Sequence, residues 1–513
     1  MLNTACPEDW DMLAIQEPYL NHLGNTKASS HWRVVYPRDH CCNGSSCSRS
    51  VILINANIST DTYLILPVCS MDITAICLMG NFENLAVFNV YNNCTHNKAL
   101  TALSSFLSSS LHTFYSPATD HMVWMGDFNR HHPLWELPDN HHLNSSEDNI
   151  WPLLKLLKDH DMDLALPLEM PTLQTTAGWW TRPDNVWRML GEFDPLISCT
   201  VSPSLCPPIT DHLPIVMELE LPLHRAMLPP SRDFRLANWD KFNKVLTEKL
   251  TLCSPAKLIA TEAEFKGKVN NLMAIILEVS NTDEIVLMKM PCPFSKHWWN
   301  KDLERLKAQR RHANNLAYRF WDIEDHLARA KAACLSKDMA DCIKRSREEH
   351  WTNWLEEIDA WQIYITNKYA IWEPLDLSCN RVPKLKTMTQ GVPELAVNNA
   401  NKAGILAESF FPLPPQSTST PPTTYPKPLL GIKFFTHMRI HATIRKLPPF
   451  KAPGPDRVPN VVLKRCSNTL VDHLHYIFRA VMELEVYHKE WLVSTMLVLC
   501  KPGRPAYNVA KAY

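Results

Sequence analysis

Six short apolar runs, separated by turn residues, divide the first 221 residues and constrain the fold more than any other feature. The runs are DMLAIQEP, SVILINANI, DITAICLMG, NLAVFNVYNN, HMVWMGDFN and HLPIVMELEL. Apolar runs of about four to eight residues bounded by turns are typical of β-strands. Helical patterns lie between some of them, at Lys98 to Tyr115 and at Ile150 to Asp161. The mixture of strands and helices predicts an α/β domain over residues 1–221.

The rest of the chain has a different character. A proline-marked linker is predicted at 222–233, and helical periodicity, rich in Trp, Arg and Lys, predicts a helical connector at 234–376. Residues 377–434 contain FFPLPPQSTSTPPTTYPKP, a composition that predicts a Pro/Thr-rich linker because it cannot build a core. Residues 435–513 return to helix, a proline loop and a strand-like run, which predicts a further segment.

Composition excludes several classes of function. The net charge is -1, so nucleic-acid binding would have to rest on local patches. The chain has 12 glycines and no P-loop or G-x-G-x-x-G motif. Its 16 cysteines lack a repeating spacing, and the group Cys41, Cys42 and Cys47 favours free thiols over a zinc site. With neither a signal peptide nor a membrane-spanning stretch, the expected location is intracellular.

The stretch VWMGDFNRHHPLWE places a carboxylate and an amide at the end of a buried strand. Asp127 and Asn129 are two residues apart, and residues at that spacing share a face of a strand. They could therefore aim an acceptor and a donor at one ligand. An isolated D-x-N is as often a polar strand exit or a helix cap, so this motif alone does not decide between the two interpretations.

Further polar residues flank other predicted strands. They are Glu17 in AIQEP, Tyr91 in NVYNN, Asp184 in WTRPDNVW, and Asp211 with His212 in ITDHLPIV. Each alone is weak, because an acid beside a strand is usually a solvated terminus. Together they provide carboxylates, an imidazole and a phenol. Such groups can hydrolyse a phosphodiester with a hard divalent cation.

At this point the motifs carry a resemblance. QEP, NVYN, GDFNRHHPLW, TRPDNV and TDHLPI, in this order, resemble the endonuclease/exonuclease/phosphatase superfamily, and more narrowly the apurinic-type endonuclease domain of LINE-type (non-LTR) retrotransposons. RIHATIRKLPPFKAPGPDRVPNVVLKRC and EWLVSTMLVLCKPGRPAYNVAKAY resemble the opening of the reverse transcriptase that follows it. The resemblance implies a two-sheet α/β sandwich at 1–221 and a truncated reverse-transcriptase N-terminal segment at 435–513.

The resemblance also implies roles at the scissile phosphate. Asn129 would donate to a phosphate oxygen or orient the attacking water, and Asp127 would handle a proton. Tyr91 would hydrogen-bond the phosphate. His212 would contact the phosphate or act as a base, with Asp184 fixing its tautomer, so the identity of the base stays open.

For the metal, the resemblance implies Mg²⁺ or Mn²⁺ held by Glu17, with Asp211 near it. In the family an earlier strand carries a metal-binding Asn. This chain starts at Met1, only a few residues before Asp11, so we expect the first strand and its Asn to be missing. No F/Y-A-D-D-like box occurs in the sequence, and we expect no polymerase activity.

A basic stretch from Lys296 to Phe320 has seven Lys or Arg residues against two acids. Lys307, Arg310 and Arg311 could track a phosphate backbone, whereas the alternative is a solvated helix face with neighbouring tryptophans in a core. The resemblance implies target DNA and element RNA as partners, no membrane, no small-molecule cofactor and a nuclear location.

The leading hypothesis is a metal-dependent DNA endonuclease that leaves a 3′ hydroxyl and is impaired by truncation. One alternative is a catalytically dead relic that at most binds nucleic acid. Another is a phosphatase acting on small phosphates, which the KAPGPD segment argues against.

Overall fold

The computed structural model describes residues 5–513 apart from gaps, the longest of which are 41–47, 222–231, 289–297, 365–381, 413–434 and 502–507. Most of the predicted linker 222–233, residues 413–434 of the Pro/Thr-rich linker, and Cys41, Cys42 and Cys47 therefore lie outside the described residues. The chain forms two compact units. The first consists of Met1–Met227, Cys292–Phe411 and Cys500–Tyr513, and the second of Leu228–Pro291 and Pro412–Leu499. The predicted helical connector is thus divided between the two units.

The first unit is built on two sheets. Its strands up to residue 221 are β1 (Met12–Gln16), β2 (Trp32–Val35), β3 (Ser50–Asn55), β4 (Tyr63–Leu66), β5 (Ile73–Met79), β6 (Asn84–Tyr91), β7 (His121–Asp127), β8 (Asp163–Leu164), β9 (Leu173–Gln174), β10 (Trp180–Thr181), β11 (Asp184–Met189), β12 (Leu196–Val201) and β13 (Ile215–Leu219). The two larger sheets have the orders β1-β3-β2 and β4-β5-β6-β7-β11-β8, and β10-β9 and β12-β13 form two further two-stranded sheets. Within the larger sheet β6 and β7 are parallel, and the other neighbouring strands are antiparallel.

Alternating side chains of each strand build two different layers, as the two-residue period of a strand requires. Ile52 and Ile54 of β3 join the core between the sheets, together with Val87 of β6. Val51 and Leu53 of β3 belong to a separate cluster on the outer face of the small sheet. The result is a sandwich whose inner layer is apolar on both sides.

Two helices cover the other face of the large sheet. These are α1 (Lys98–Ser110) and α2 (Glu147–Asp159), which agree with the two helices predicted in this domain. Their buried leucines pack with Phe88 and Trp124, which point away from the small sheet. Because α1 connects β6 to the parallel strand β7, it supplies the crossover that a parallel pair needs.

The small sheet has an edge with which no described strand pairs. Within the part of the chain that the structure describes, β1 pairs with β3 alone, and β13 pairs with β12 alone. Every residue of β1 is half-buried, whereas every residue of β3 is buried. This open edge of β1 is where a strand preceding it would pair.

Helices dominate the remaining chain. They are α3 (Trp239–Cys253), α4 (Glu262–Ser280), α5 (Lys301–Arg319), α6 (Leu327–Glu357), α7 (Asn399–Phe410), α8 (His437–Lys446), α9 (Asn460–Arg465) and α10 (Ser467–Glu483), with a hairpin of β14 (Leu385–Thr389) and β15 (Val392–Ala396) before α7. In the second unit, α3 and α4 share one apolar core with α9 and α10. Helix α5 belongs to the first unit and packs along α6. None of the described helices is long and apolar enough to cross a membrane.

Candidate active site

The loop after β7 folds Asn129 back onto Asp127. The backbone N–H of Asn129 donates to Asp127 Oδ1 at 3.0 Å, and its side-chain Nδ2 donates to Oδ2 at 2.8 Å. Asn129 has a φ of 49°, in the left-handed region that Asn tolerates better than most residues. Its Nδ2 also donates to Asn92 O at 2.9 Å. Asn129 therefore fixes the orientation of the Asp127 carboxylate and ties it to the segment after β6.

His212 and Asp184 lie directly beside this loop. Asp184 begins β11 and stands opposite Asp127 in the antiparallel register of β7 and β11. His212 Nδ1 lies 2.8 Å from Asp184 Oδ2, and Thr172 Oγ1 donates to the same oxygen at 2.8 Å. Because the partner is a carboxylate, we assign the proton of the imidazole to Nδ1. Asp184 thereby holds both the tautomer and the plane of the ring.

The charges in this cluster shift two pKa values. Burial and the negative charge of Asp184 raise the pKa of Asp127, while His212 and the hydrogen bonds from Asn129 act in the opposite direction. Burial alone would lower the pKa of His212. The hydrogen bond and charge of Asp184, with the charges of Asp127 and Asp211, outweigh this and raise it to about 9. His212 is therefore protonated at neutral pH.

Tyr91 and Glu17 adjoin the cluster from two other strands. Tyr91 ends β6 and is the register partner of Asp127 in the parallel pair β6–β7. Burial, a hydrogen bond with Glu17, and the charges of Glu17 and Asp127 raise the pKa of the Tyr91 phenol. Glu17 directly follows β1 and is exposed. The ends of β1, β6 and β7 thus bring three of the predicted residues together.

Asp211 lies in the loop before β13 and is exposed. Its carbonyl accepts from Gln174 N at 3.2 Å, and its carboxylate is close enough to contribute to the raised pKa of His212. All seven residues predicted for the site are thus connected by bonds, register or charge.

One group of described residues could share a cation, and it lies beside the predicted pair Glu17 and Asp211, whose role as metal ligands stays a prediction. Among the described residues, the acidic and imidazole groups with ligand atoms within 4.8 Å of one another are Asp127, Asp184 and His212. His212 Nδ1 is already bonded to Asp184, so the oxygens of Asp127 and Asp184 are the better donors. Carboxylate oxygens suit Mg²⁺ or Mn²⁺, and a cation there would offset the repulsion that raises the pKa of Asp127.

Gly126 permits the close approach that this arrangement needs. It has a φ of 137°, and a Cβ at this position would lie 2.0 Å from Val90 O. The same Cβ would meet Gln16 Nε2, which donates to Asn89 Oδ1 at 2.5 Å between the two sheets. Any side chain at Gly126 would therefore force apart the strands that carry Tyr91 and Asp127.

Arg130 follows Asn129 and is almost completely buried, with 1% of its surface exposed. Its guanidinium donates to Asn149 O at 3.0 Å, Asn129 O at 2.6 Å and Asn93 O at 3.2 Å. It also donates to Asn97 Oδ1 at 2.5 Å. These acceptors come from α2 and from the loops after β6 and β7. Arg130 therefore holds together the segments that follow Tyr91 and Asp127.

The basic helix α5 does not present all three of its predicted nucleic-acid contacts to solvent. Lys307 and Arg310 are buried, with 7% and 5% of their surface exposed, and Arg311 is half-buried. Burial prevents Lys307 and Arg310 from reaching a phosphate backbone in this conformation. One face of α5 packs against the short helical turn Pro203–Leu205, where Asn314 Nδ2 donates to Pro203 O at 3.3 Å.

Sequence reasoning missed Arg49, Thr172 and Arg130. Arg130 lies inside the GDFNRHHPLW motif, so its position next to Asn129 was a usable signal. Thr172 and Arg49 carry no local signal, because each reaches the cluster through a contact that is distant in sequence. The adjacent His131 and His132 make separate contacts: His131 pairs with the buried Glu136, and His132 packs on Trp135.

Comparisons with known proteins can now be set against this geometry. The endonuclease-reverse transcriptase family model matches residues 85–189, the segment that carries Tyr91, Asp127, Asn129 and Asp184. A probable RNA-directed DNA polymerase from transposon BS of Drosophila melanogaster is 23% identical over 313 residues. The match covers 58% of this chain and 33% of that protein, so the chain spans about a third of its length.

Two solved structures are similar. The endonuclease domain of TRAS1, a telomere-specific non-LTR retrotransposon, has 14% identity and a TM-score of 0.33, covering 42% of this chain and 87% of that one. An endonuclease/exonuclease/phosphatase from Bacteroides vulgatus has 13% identity and a TM-score of 0.29, covering 42% of this chain and 86% of that one.

Residues 85–189, which carry β6, β7 and β11 of the sandwich and part of its polar cluster, thus match the endonuclease-reverse transcriptase family. The curated relative is a transposon polymerase.

Proposed function

We propose that this chain is a divalent-cation-dependent DNA endonuclease that cuts a phosphodiester and leaves a 3′ hydroxyl. The observation that carries the proposal is the connected set of Asp127, Asn129, Asp184 and His212. Two neighbouring buried carboxylates and an imidazole held by one of them are costly for a fold to keep. Such an arrangement is expected where charge develops during a reaction.

The charge of His212 and the orientation of Asp127 divide the proposed roles. Protonated His212, oriented by Asp184, donates a hydrogen bond from Nε2 to a non-bridging oxygen of the phosphate. As the water oxygen bonds to phosphorus, the bond from phosphorus to the 3′ oxygen breaks, and the leaving 3′ oxygen takes a proton from solvent. Asp127 takes the proton from the attacking water as the general base. Asn129 keeps the Asp127 carboxylate in a fixed orientation for this transfer. The phenol of Tyr91 donates a hydrogen bond to the phosphate.

Mg²⁺ or Mn²⁺ would supply Lewis-acid stabilisation of the negative charge on the phosphate. Oxygen atoms of Asp127 and Asp184 would hold the cation, and Glu17 lies beside Tyr91 at the same edge. Asp211 would be a further carboxylate for the cation. Each of these residues offers an oxygen ligand of the type that hard cations prefer.

We further propose that the activity of this chain is weak. The open edge of β1 lies next to Glu17, and in the described residues no strand covers it. A group that is poorly positioned in such a site costs about 10² to 10³ in rate. Target DNA is the proposed substrate, element RNA the proposed second partner, and the nucleus the proposed location, because chromosomal DNA is there.

The test is relaxation of a supercoiled plasmid by the full chain, with Mg²⁺, with Mn²⁺ and with EDTA. We expect slow nicking that depends on the metal and yields ends that a DNA polymerase can extend. Asp184→Asn removes the charge that orients His212 and should lower the rate by about 10⁴. A second variant that adds a strand with an Asn before β1 should raise the rate.

Asp194→Asn is the matched control, because Asp194 is also paired with a basic side chain, Arg188, but lies outside the cluster. It should nick as the unmodified chain does. If neither metal supports nicking in the chain or in its strand-extended form, the chain is the catalytically dead relic instead. Nicking that survives Asp184→Asn would show that the site is elsewhere.

A further inference from the structure

Arg49 lies at the rim of the cluster and has a fixed orientation. It immediately precedes β3, and its Nε and Nη2 donate to Asp72 Oδ1 at 2.9 Å and Oδ2 at 2.7 Å. A bidentate pair of this type fixes the plane of a guanidinium. The side chain is 30% exposed, whereas that of Asp72 is 10% exposed. The ion pair with the more buried Asp72 thus fixes the guanidinium of Arg49, which remains partly accessible to solvent.

Three contacts connect this arginine with the residues of the site. The guanidinium carbon lies 4.7 Å from the centre of the Tyr91 ring. The carbonyl of Arg49 accepts from Glu17 N at 2.9 Å, and the carbonyl of Asp72 accepts from Tyr91 N at 2.9 Å. The pair Arg49–Asp72 is therefore built into the same strand ends that carry Glu17 and Tyr91.

The positive charge of Arg49 would offset the repulsion between the carboxylates of the site and the phosphates of DNA. Glu17, Asp127, Asp184 and Asp211 are carboxylates, and as a group they repel a polyanionic strand. His212 is assigned to the scissile phosphate in the proposed function, so a flanking phosphate needs a second cation. Arg49 stays charged at any working pH and presents a flat donor surface, which suits a phosphate oxygen better than a mobile lysine would.

We propose that Arg49 binds a phosphate of the DNA strand that flanks the scissile bond, with Asp72 holding the guanidinium ready. Asp72 engages Nε and Nη2, so Nη1 is the donor for the phosphate oxygen. The inference rests on the proposed function, since it names a contact with the substrate of that reaction. It adds a binding residue that lies outside the predicted catalytic set.

The experiment measures binding of a short DNA duplex to the full chain in EDTA, over a series of salt concentrations. Each phosphate that a protein neutralises contributes about 0.9 to the slope of log affinity against log salt. Arg49→Met should lower the slope by about 0.9. Between about 50 and about 200 mM salt, the affinity of the variant should therefore fall by a factor about 3 times smaller than the affinity of the unmodified chain does. Arg49→Lys should keep the slope because it keeps the charge.

Arg188→Met is the matched control. Arg188 is also ion-paired, with Asp194 at 2.8 Å, and is 20% exposed, but it lies four residues beyond Asp184 along β11. Its slope should equal that of the unmodified chain. Asp72→Asn should also keep the slope, because Arg49 remains charged without its anchor. Asp72→Asn and Arg49→Met both break the ion pair, but only Arg49→Met removes the positive charge. The comparison therefore separates loss of the phosphate contact from damage to the fold.

The outcomes separate this inference from the proposed function, because binding in EDTA needs no catalysis. An unchanged slope in Arg49→Met, in a chain that nicks plasmid, would overturn the inference alone and assign Arg49 to the support of Tyr91. A chain that never nicks but loses slope in Arg49→Met would sink the nuclease and keep the phosphate contact. Absence of DNA binding by the unmodified chain would overturn the contact.

Discussion

The loop after β7 and helix α5 each bury an arginine, and the two arginines have opposite surroundings. Arg130 is 1% exposed and donates to carbonyl and amide oxygens of three chain segments. Arg310 is 5% exposed, and within the described part of the chain its Nε and Nη1 have no hydrogen-bond partner. Burial lowers the pKa of both guanidinium groups. The guanidinium of Arg130 is hydrogen-bonded to acceptors within the fold, whereas two nitrogens of the Arg310 guanidinium are buried without an acceptor among the described residues.

The surroundings of the two arginines show when a buried charge indicates a functional site. Around Arg130, the acceptors belong to loops that carry or follow site residues, so the guanidinium organises the site. Around Arg310 the ionisable groups that act on its pKa are Cys206, a thiol whose pKa burial raises to about 11 so that it stays neutral, and Arg311, which is a cation. Burial of an arginine is therefore informative only together with the acceptors that surround it.

The sharpest test of this comparison changes both arginines to methionine. Arg130→Met leaves several buried acceptors without donors and should lower the free energy of unfolding by about 3 to 5 kcal/mol. Arg310→Met removes an unsatisfied buried charge and should raise it by about 1 to 3 kcal/mol. Urea unfolding of the full chain, followed by tryptophan fluorescence, measures both, and both residues lie in the first compact unit.

Arg305→Met is the surface control for this pair, since its side chain is 70% exposed. It should change stability by less than about 0.5 kcal/mol. If Arg310→Met destabilises the chain as strongly as Arg130→Met does, then Arg310 has acceptors of its own and the contrast between the two regions is false.

A smaller effect concerns the other end of the site and its pH dependence. His212 has its pKa raised to about 9 in the folded chain, above the ordinary value of 6.5 in the unfolded chain. The folded state therefore binds the proton more tightly, and the stabilisation is complete below about pH 6.5 and lost as pH rises through about 9. The His212 side chain is 37% exposed, so solvent screening reduces the effect to on the order of 1 kcal/mol.

The measurement is the free energy of unfolding of metal-free protein in EDTA between about pH 6 and about pH 10, an interval that brackets the histidine shift. His212→Gln should remove the decline, because Gln does not titrate. His160→Gln is the control, since burial lowers the pKa of His160 instead. A decline that persists in His212→Gln would mean that the ion pair with Asp184 does not cause it.

The same two regions show how far sequence reasoning reaches. The six predicted strands are all present, and their register then decides which side chains meet. Tyr91, Asp127 and Asp184 are neighbours because β6, β7 and β11 pair in that order. Strand ends are readable from apolar runs and turns, so polar residues placed there could be predicted. Arg49 and Thr172 could not, because only the packing of distant segments brings them close.

Helix α5 shows a different limit of sequence reasoning, because the number of basic residues in a helix does not show which of them lie on its buried face. Its buried residues are Leu303, Lys307, Arg310, Ala313 and Ala317, spaced three or four apart. That spacing defines a single helical face, and Leu303 with the two alanines could have identified it as the packed one. The compact units also divide the helical connector, which local periodicity cannot reveal, because α3 and α4 find their partners more than a hundred residues later.

The smallest expected effect tests what remains of the basic stretch as a nucleic-acid surface. Arg311 is half-buried and can reach solvent, whereas Lys307 lies against Trp299 and Glu304. With the full chain and a duplex of arbitrary sequence, Arg311→Gln should lower the salt slope of binding by about 0.9, and Lys307→Gln should not change it. Equal losses in both variants would show that α5 turns its packed face towards DNA. No loss in Arg311→Gln would leave α5 as a packing helix and confine DNA binding to the strand-end cluster.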